Sequence, residues 1–318
     1  MHLQTKAHVV THGWNALAPA RRRCALAAVL MLVPALLAAA DPSIRVVGAV
    51  QTDALVELSG IAVSRRVPGR WWGHNDSGNL AELFAFDGRG HSLGRVAIDA
   101  PELDWEDMAS YERDGVAYLA VADTGDNFSF RSQLAIQIVA EPSAELPAQP
   151  LKPLRTIAFR FEDGPRDCES LAADPAKRRF LLIDKQRSPA GVYELPMDPP
   201  PGVVATARRI ADLPPLYRDP LPPASPAGSE RYRGTATAAD LSAEGRRLAV
   251  LTYTHLALFE RRGDEDWPQA FKARDPLLLR LPALRIAEGM GLSADGKTAL
   301  IGGERLHSPL LRWDEAPH

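Results

Sequence analysis

The sequence predicts an all-β fold, a five-bladed β-propeller closed by an N-terminal strand in the last blade. Three features of the 318 residues lead there. Beyond residue 41, helical periodicity is scarce, and short apolar runs are punctuated by Gly, Pro, Asp and Asn, as in strands joined by tight turns. One strand-opening pattern recurs five times, as ELSGIAVS (57–64), DWEDMASY (104–111), DCESLAAD (167–174), GTATAADLSAEG (234–245) and AEGMGLSADG (287–296). Each is followed by further strand-like runs, and about four strands per repeat is the pattern of a propeller blade.

The elements follow in order. Second strands are expected at GRWWGHND, VAYLAVADTGDN, RRFLLIDKQ, RRLAVLTYTH and KTALIGGERLH, and third strands at ELFAFDGRG, LAIQIVAEP, GVYELP, LALFERRG and PLLRWDE. Fourth strands are expected at LGRVAID, RTIAFRF, ATARRIADLP and PLLLRLP. The last repeat lacks one, and SIRVVGAV (43–50) can supply it, which removes two free sheet edges. Residues 196–235 are too rich in proline for central strands, so 213–233 reads as a surface loop and a candidate lid, with a sixth blade in 196–235 as the competing reading. A β-sandwich is the other fold considered, but it gives no reason for a five-fold motif.

Residues 1–40 read as a secretory signal peptide: Arg21, Arg22 and Arg23, an apolar run, then Ala38, Ala39 and Ala40. A retained membrane anchor is the alternative. Cleavage leaves one domain, 41–318, in a secreted or periplasmic location. The leader holds Lys6 and the three arginines and no acids, so the formal net charge moves from −3 to −7. That acidity argues against nucleic acid as a partner. No membrane association is expected after cleavage, and a monomer is expected. Cys24 leaves with the leader, so Cys168 remains without an internal disulfide partner, and burial preference makes it a packed core thiol.

Aligning the five motifs puts Ser59, Glu106, Glu169, Thr237 and Glu288 in one column, spaced 47, 63, 68 and 51 residues apart. In a propeller the first strand of each blade lines the axis, so these side chains are expected to ring one mouth. The residues two places on (Ile61, Met108, Leu171, Ala239 and Met290) are expected to point the same way, further down the channel. Three ringed carboxylates repel one another. They can take up protons, pair with arginines or hold waters, or share an oxygen-ligated cation, for which calcium is the best match. Asp104 and Asp107 are then expected to serve loops or cap backbone amides.

The ends of the second strands return to the same mouth and carry His74, Asn75, Asp76 and Ser77, then Asp123, Asp126 and Asn127, then Asp184, Lys185 and Arg187, then Tyr253 and His255, then Glu304, Arg305 and His307, a set suited to a small polar or anionic ligand. Candidate catalytic groups are Asp76, Asp123 and Asp126 as bases, with Lys185, Arg187 or Arg305 stabilising negative charge. Many of these residues also belong to good turn sequences such as NDSG and DTGDN. NDS (75–77) and NFS (127–129) match the glycosylation sequon. No nucleophile elbow, P-loop, paired-cysteine motif or HExxH is found.

The order Ser, Glu, Glu, Thr, Glu, one per repeat, with the contexts LSGIAV, WEDMASYERDGVAYLAVADTG, ESLAADPAKRRFLLID and AEGMGLS, resembles the calcium-activated nucleotidases (apyrases). The resemblance touches all five repeats in short patches. It implies a five-bladed propeller with calcium held by Ser59, Glu106, Glu169, Thr237 and Glu288, Thr237 standing where that family has Ser, and it places Asp76 near a reacting phosphate. The family's nucleotide-gripping residues have no clear counterparts here. The chain also resembles a group of uncharacterised secreted bacterial propellers and, more distantly, phytase-like and lactonase-like ones. Three functions follow as expectations: a calcium-dependent hydrolase of phosphate esters or anhydrides, a non-catalytic ligand- or protein-binding propeller with a structural ion, and a lactonase-like ester hydrolase.

Overall fold

A computed structural model describes residues 40–185, 189–218, 232 and 234–316. The expected leader, apart from Ala40, lies outside the described residues, as do Arg187 and most of the 213–233 loop. Among the described residues the fold is all-β, built of antiparallel four-strand meanders taken in chain order. No helix among them is long and apolar enough to cross a membrane.

β1 (Ile44–Ala49) precedes the first meander: β2 (Leu58–Val63), β3 (Arg70–Asn75), β4 (Glu82–Asp87) and β5 (Ser92–Ala97). The second is β6 (Trp105–Arg113), β7 (Val116–Asp123), β8 (Leu134–Ala140) and β9 (Arg155–Phe161). The third is β10 (Leu171–Asp174), β11 (Arg179–Ile183), β12 (Gly191–Pro196) and β13 (Ala205–Asp212). Outer strands β9 and β13 pair in parallel, Phe159 opposite Ala205, and fuse these two meanders into an eight-stranded sheet. β14 (Ala236–Leu241), β15 (Arg247–Thr252), β16 (His255–Glu260) and β17 (Leu277–Arg280) form the next. β18 (Ala287–Leu292), β19 (Thr298–Gly303) and β20 (Pro309–Asp314) form the last, and β1 completes it by pairing with β20 from Ile44–Trp313 to Ala49–Pro309.

Two elements depart from the all-strand reading, a single 3-10 turn at Pro175–Lys177 between β10 and β11 and one α-helix. α1 (Trp267–Ala273) lies between β16 and β17 and opens with a capping box: the Asp266 carboxylate and the Gln269 side chain each accept from the other's backbone N–H. Trp267, Ala270 and Phe271 bury its inner face against β13 and β16.

The small residues of the five motifs have a steric cause. β2 packs against β6 and β18, and β10 against β6 and β14, which in turn packs against β18. The backbones come close. A Cβ added at Gly289 would stand 2.7 Å from the Ser59 carbonyl oxygen, and one at Gly291 2.9 Å from that of Ile61. Inner strands so placed are buried on both faces, and β14 and β18 read as runs of Ala and Gly with few large residues.

Register in these strands overturns one expectation. Pairing slips by a residue at Leu58/Ile61, Trp105/Asp107, Ala236/Ala238 and Ala287/Gly289, so Glu106, Thr237 and Glu288 are the extra residues of β-bulges, and Ser59 lies within a fourth. The bulge breaks the two-residue alternation. Residues three apart, not two, therefore share a face: Leu58 with Ile61, Trp105 with Met108, Ala236 with Ala239, Ala287 with Met290, and likewise Cys168 with Leu171. Ile61, Met108, Leu171, Ala239 and Met290 thus lie in apolar clusters between neighbouring meanders and do not line a channel beneath the column. One of those clusters joins Leu58, Ile61 and Trp71 to Leu300 and Leu310 of the last meander.

The same shift turns Asp107 onto its neighbours. Fully buried, it accepts from the backbone N–H of Leu171 in β10 (2.8 Å), Ala239 in β14 (3.0 Å) and its own neighbour Met108 (2.8 Å). Asp240 repeats the device, accepting from Leu292 N–H of β18 at 2.8 Å. Hydroxyls add further ties: Ser59 donates to the Glu106 carbonyl and Thr237 to that of Ala287. Asp107→Ala would leave two interstrand amides without acceptors, at about 1–3 kcal/mol each. Chemical denaturation should register a loss of about 2–5 kcal/mol, and a loss below about 0.5 kcal/mol would mean these bonds do not hold the inner strands together.

Candidate metal centre

Strand openings and strand ends meet at one place. Glu106 at the start of β6 and Glu169 just before β10 converge with Asp167, and potential ligand atoms of the three lie within 4.8 Å of one another. Asp76, past the end of β3, forms a second such group with Asp104 and Glu106. Glu288 at the start of β18 belongs to the same field. It hydrogen-bonds Glu304, which also hydrogen-bonds Asp76, and it accepts from the Tyr253 hydroxyl at 3.3 Å. Ser59 and Thr237 spend their protons on neighbouring carbonyls, which leaves their oxygens able to act as neutral donors.

One cation faces this charge among the described residues at its centre. The Lys185 ammonium contacts Glu169 Oε1 and acts electrostatically on Glu106, Asp167 and Glu288. Two ionised carboxylates at about 4–5 Å repel by about 3–4 kcal/mol at an effective dielectric of about 20. A single ammonium cannot offset several such pairs. Accordingly the carboxyls hold protons strongly. Burial first, then Asp76 and Asp167, raises Glu106 well above the usual carboxylate range. Burial and then Glu304 push Glu288 up to about 9. Asp76 is pushed to about 7, mainly by burial, with Glu304 and Asp104 adding.

Two observations fit this site to a metal ion. Glu169 Oε2 is buried with no hydrogen-bond partner among the described residues, on a side chain aimed into the cluster and only 4 % exposed. Gly125 keeps space open beside it, since a Cβ there would collide with the Asp104 carboxylate and Glu106 Oε1. An all-oxygen donor set of this number suits calcium, which takes 6–8 oxygens in flexible geometry.

The other candidates sit differently. Asp123 pairs with Arg131 at 2.6 Å, and Asp126 accepts from the backbone N–H of Phe130 (2.9 Å) and Arg131 (3.0 Å). Both carboxylates thus fix the β7–β8 loop. That loop is joined to the cluster by the Asp126 N–H, which donates to Asp167 Oδ1 at 2.8 Å, and by Gly125 N–H, which donates to the Asp104 carbonyl at 3.1 Å. His74 is fully buried and depressed to about 4 by desolvation. Arg305 is exposed on the β19–β20 connection. Loops around the cluster carry exposed apolar side chains, Leu80, Leu103, Phe128 and Phe130, the two phenylalanines stacked at 6.2 Å between centroids.

Asp167 was missed as a candidate and Asp104 was given only a loop or capping role. A signal for both was present: Asp104-Trp105-Glu106 and Asp167-Cys168-Glu169 repeat an acid two places before each column glutamate. Cys168 between them is buried with its thiol pKa raised by desolvation, as a core residue.

No family model matches this chain, and no curated protein matches it. Among solved structures it is similar to the β-propeller domain of Myceliophteria thermophila Cps50 (Swd1), at 12% identity over 82% of this chain and 65% of that one, with a TM-score of 0.38. The chain therefore spans just under two thirds of that domain. It is also similar to a gluconolactonase from Xanthomonas campestris (12% identity, 81% and 71% covered, TM-score 0.41) and to a luciferin-regenerating enzyme (9%, 85% and 94%, TM-score 0.44). Likenesses this remote carry no argument about chemistry.

The raised carboxyls set a pH dependence. An acid whose folded pKa exceeds its unfolded value stabilises the fold while protonated, and that contribution is lost as pH rises through the folded value. With ordinary values of 3.8 for an aspartate such as Asp76 and 4.5 for a glutamate such as Glu288, against about 7 and about 9 in the fold, the melting temperature of EDTA-treated protein should fall between about pH 5 and pH 9. A flat or rising melting temperature across that window would contradict the buried-charge description.

Proposed function

We propose that the protein is a five-bladed β-propeller, closed by β1 in the last blade, with a calcium ion at the mouth where the inner strands open, and that it hydrolyses a polar ester there. The repeated meanders, the β1–β20 pairing and the cluster joining Leu58 to Leu300 support the blade count and the closure. The observation that carries the metal reading is the buried cluster of carboxylates with one ammonium and an orphan oxygen on Glu169. Glu106 and Glu169 are the central ligands, with Asp167, Asp104 and Asp76 beside them, Glu288 as a further carboxylate, and Ser59 and Thr237 as neutral oxygens.

When bound, a divalent ion supplies Lewis acidity and lowers the pKa of its water. The chain's own groups do the rest. Asp76 lies at the half-buried edge of the cluster, placed to take a proton from the attacking water. Lys185 holds negative charge developing on the substrate oxygen. Asp123 and Asp126 act one step removed, by fixing the loop that carries Asp126 N–H to Asp167. Phe128 and Phe130 offer an apolar surface for the part of the substrate that does not react.

Charge bears on the substrate. Seven carboxyl groups (Asp76, Asp104, Glu106, Asp167, Glu169, Glu288 and Glu304) outnumber Lys185, so a neutral lactone or ester enters against less repulsion than a phosphate. A phosphate ester or anhydride is the second reading, favoured by Lys185. The leader supports a secreted or periplasmic setting. A non-catalytic propeller with a structural ion remains the competitor that assays must defeat.

Turnover of lactones, aryl esters, nucleotides and phytate should be measured with calcium and with EDTA. Calcium-dependent hydrolysis of at least one class is expected, abolished on chelation and reduced at least 100-fold in Asp76→Asn. Absence of turnover on all of them, with calcium bound, would leave the non-catalytic reading. Independently, EDTA should lower the melting temperature and Glu106→Gln should weaken calcium binding at least ten-fold by calorimetry. Metal analysis of purified protein showing no divalent ion, and no heat of calcium binding, would remove the metal.

A further inference from the structure

A second feature lies away from the carboxylates. β10 begins beside the cluster and ends at Asp174, and at that other end a groove of about 690 Å³ opens between the β10–β11 and β12–β13 connections. Its volume is that of a small-molecule site. Its charge is the opposite of the mouth. Lys177, Arg178, Arg179 and Arg208 line it, against Glu194 and Asp198.

Asp198 is overcommitted to cations. Asp198 accepts from three guanidinium groups: Arg178 at 2.7 Å, Arg113 at 2.9 Å and Arg155 at 3.1 Å. One negative charge thus faces three positive ones. Arg113 has a second neighbour, Asp114, but at 3.9 Å and 92 % exposed it contributes little. Glu194 shares Arg179 (2.9 Å) with Asp174 (3.4 Å) and Asp266, so Arg179 adds no free positive charge and the excess rests on the cations around Asp198 with Lys177 and Arg208. Lys177 and Arg208 form no ion pair among the described residues. Arg155 also donates to the carbonyls of Met197 and Pro199, which fixes the loop forming one wall. Arg178 is 69 % exposed, with one terminal nitrogen on Asp198 and no other side-chain partner among the described residues, which leaves the rest of its fork to meet a ligand. The same wall is apolar, with Pro199, Pro200 and the exposed Val203 and Val204.

On a chain of net negative charge, an excess of arginine around one carboxylate, beside a drug-sized apolar wall, is complementary to an organic anion. We propose that this groove binds small amphiphilic anions, in which a phosphate or carboxylate group meets Arg178 with Lys177 and Arg208 and a short apolar body lies along Val203 and Val204. Guanidinium forks match both head groups in bidentate fashion. The site is separate from the metal centre, so it needs no calcium.

Calorimetry with EDTA-treated protein tests it, using phenyl phosphate, benzoate, inorganic phosphate and phenol as probes. Phenyl phosphate and benzoate should bind, inorganic phosphate more weakly, and phenol not measurably. Arg178→Gln should weaken phenyl phosphate at least ten-fold, the loss of one charge-assisted contact. Because Arg178 is exposed, that variant should fold normally. Asp198→Asn removes the competing carboxylate and should tighten binding, an effect of opposite sign that a merely structural role would not give. Glu169→Gln at the metal centre should leave the affinity unchanged. Failure of both anions to bind at millimolar concentration, or equal affinity in wild type and Arg178→Gln, would overturn the proposal.

Discussion

The close approach of the inner strands is the constraint on which the rest depends. β2, β6, β10, β14 and β18 come near enough that a methyl group at Gly289 or Gly291 would strike a carbonyl of β2. Strands packed so tightly leave no room for water, so their polar groups must be satisfied by one another. Asp107 and Asp240 do this with carboxylates, and Ser59 and Thr237 with hydroxyls. In β6 a bulge makes it possible: the extra residue turns Glu106 toward the mouth, Asp107 toward neighbouring backbones and Met108 into the apolar layer.

That arrangement also creates the site. A strand that opens with Asp-Trp-Glu-Asp divides its side chains among three environments: Asp104 and Glu106 at the mouth, Trp105 with Met108 in a core cluster, Asp107 among backbone amides. Carboxylates delivered this way by several strands cannot avoid one another. The fold itself concentrates negative charge where Lys185 is the nearest positive group, and the resulting appetite for protons, visible in Asp76, Glu106 and Glu288, is equally an appetite for a divalent ion. The far end of β6, where Arg113 reaches Asp198 beside Arg155 and Arg178, carries the reverse excess.

Much of this was legible in the sequence. The strands of each meander stand where apolar runs and turn residues put them, including β1 beside β20. The column Ser59, Glu106, Glu169, Thr237 and Glu288 marks strand openings, as repetition alone suggested. What alternation could not supply was the bulge. Strict two-residue spacing sends Met108 down a channel, whereas one extra residue sends it beside Trp105. The three-residue spacing of Leu58 with Ile61 and of Cys168 with Leu171 was the available clue. α1 escaped because it is two turns long, and its start signal, Asp266 to Gln269, was not weighed against the strand pattern around it. Glu304 meets Asp76 and Glu288 through the return of β19, in line with the expectation that second strands end at the same mouth.

The central claim is that the carboxylates at the mouth are there to hold a cation. Crystals grown with calcium, examined by anomalous diffraction, test it most directly. The account predicts a peak about 2.3–2.6 Å from oxygens of Glu106 and Glu169, with the Lys185 ammonium displaced from Glu169. Lys185 still seated on Glu169, with no peak among the carboxylates at millimolar calcium, would contradict it.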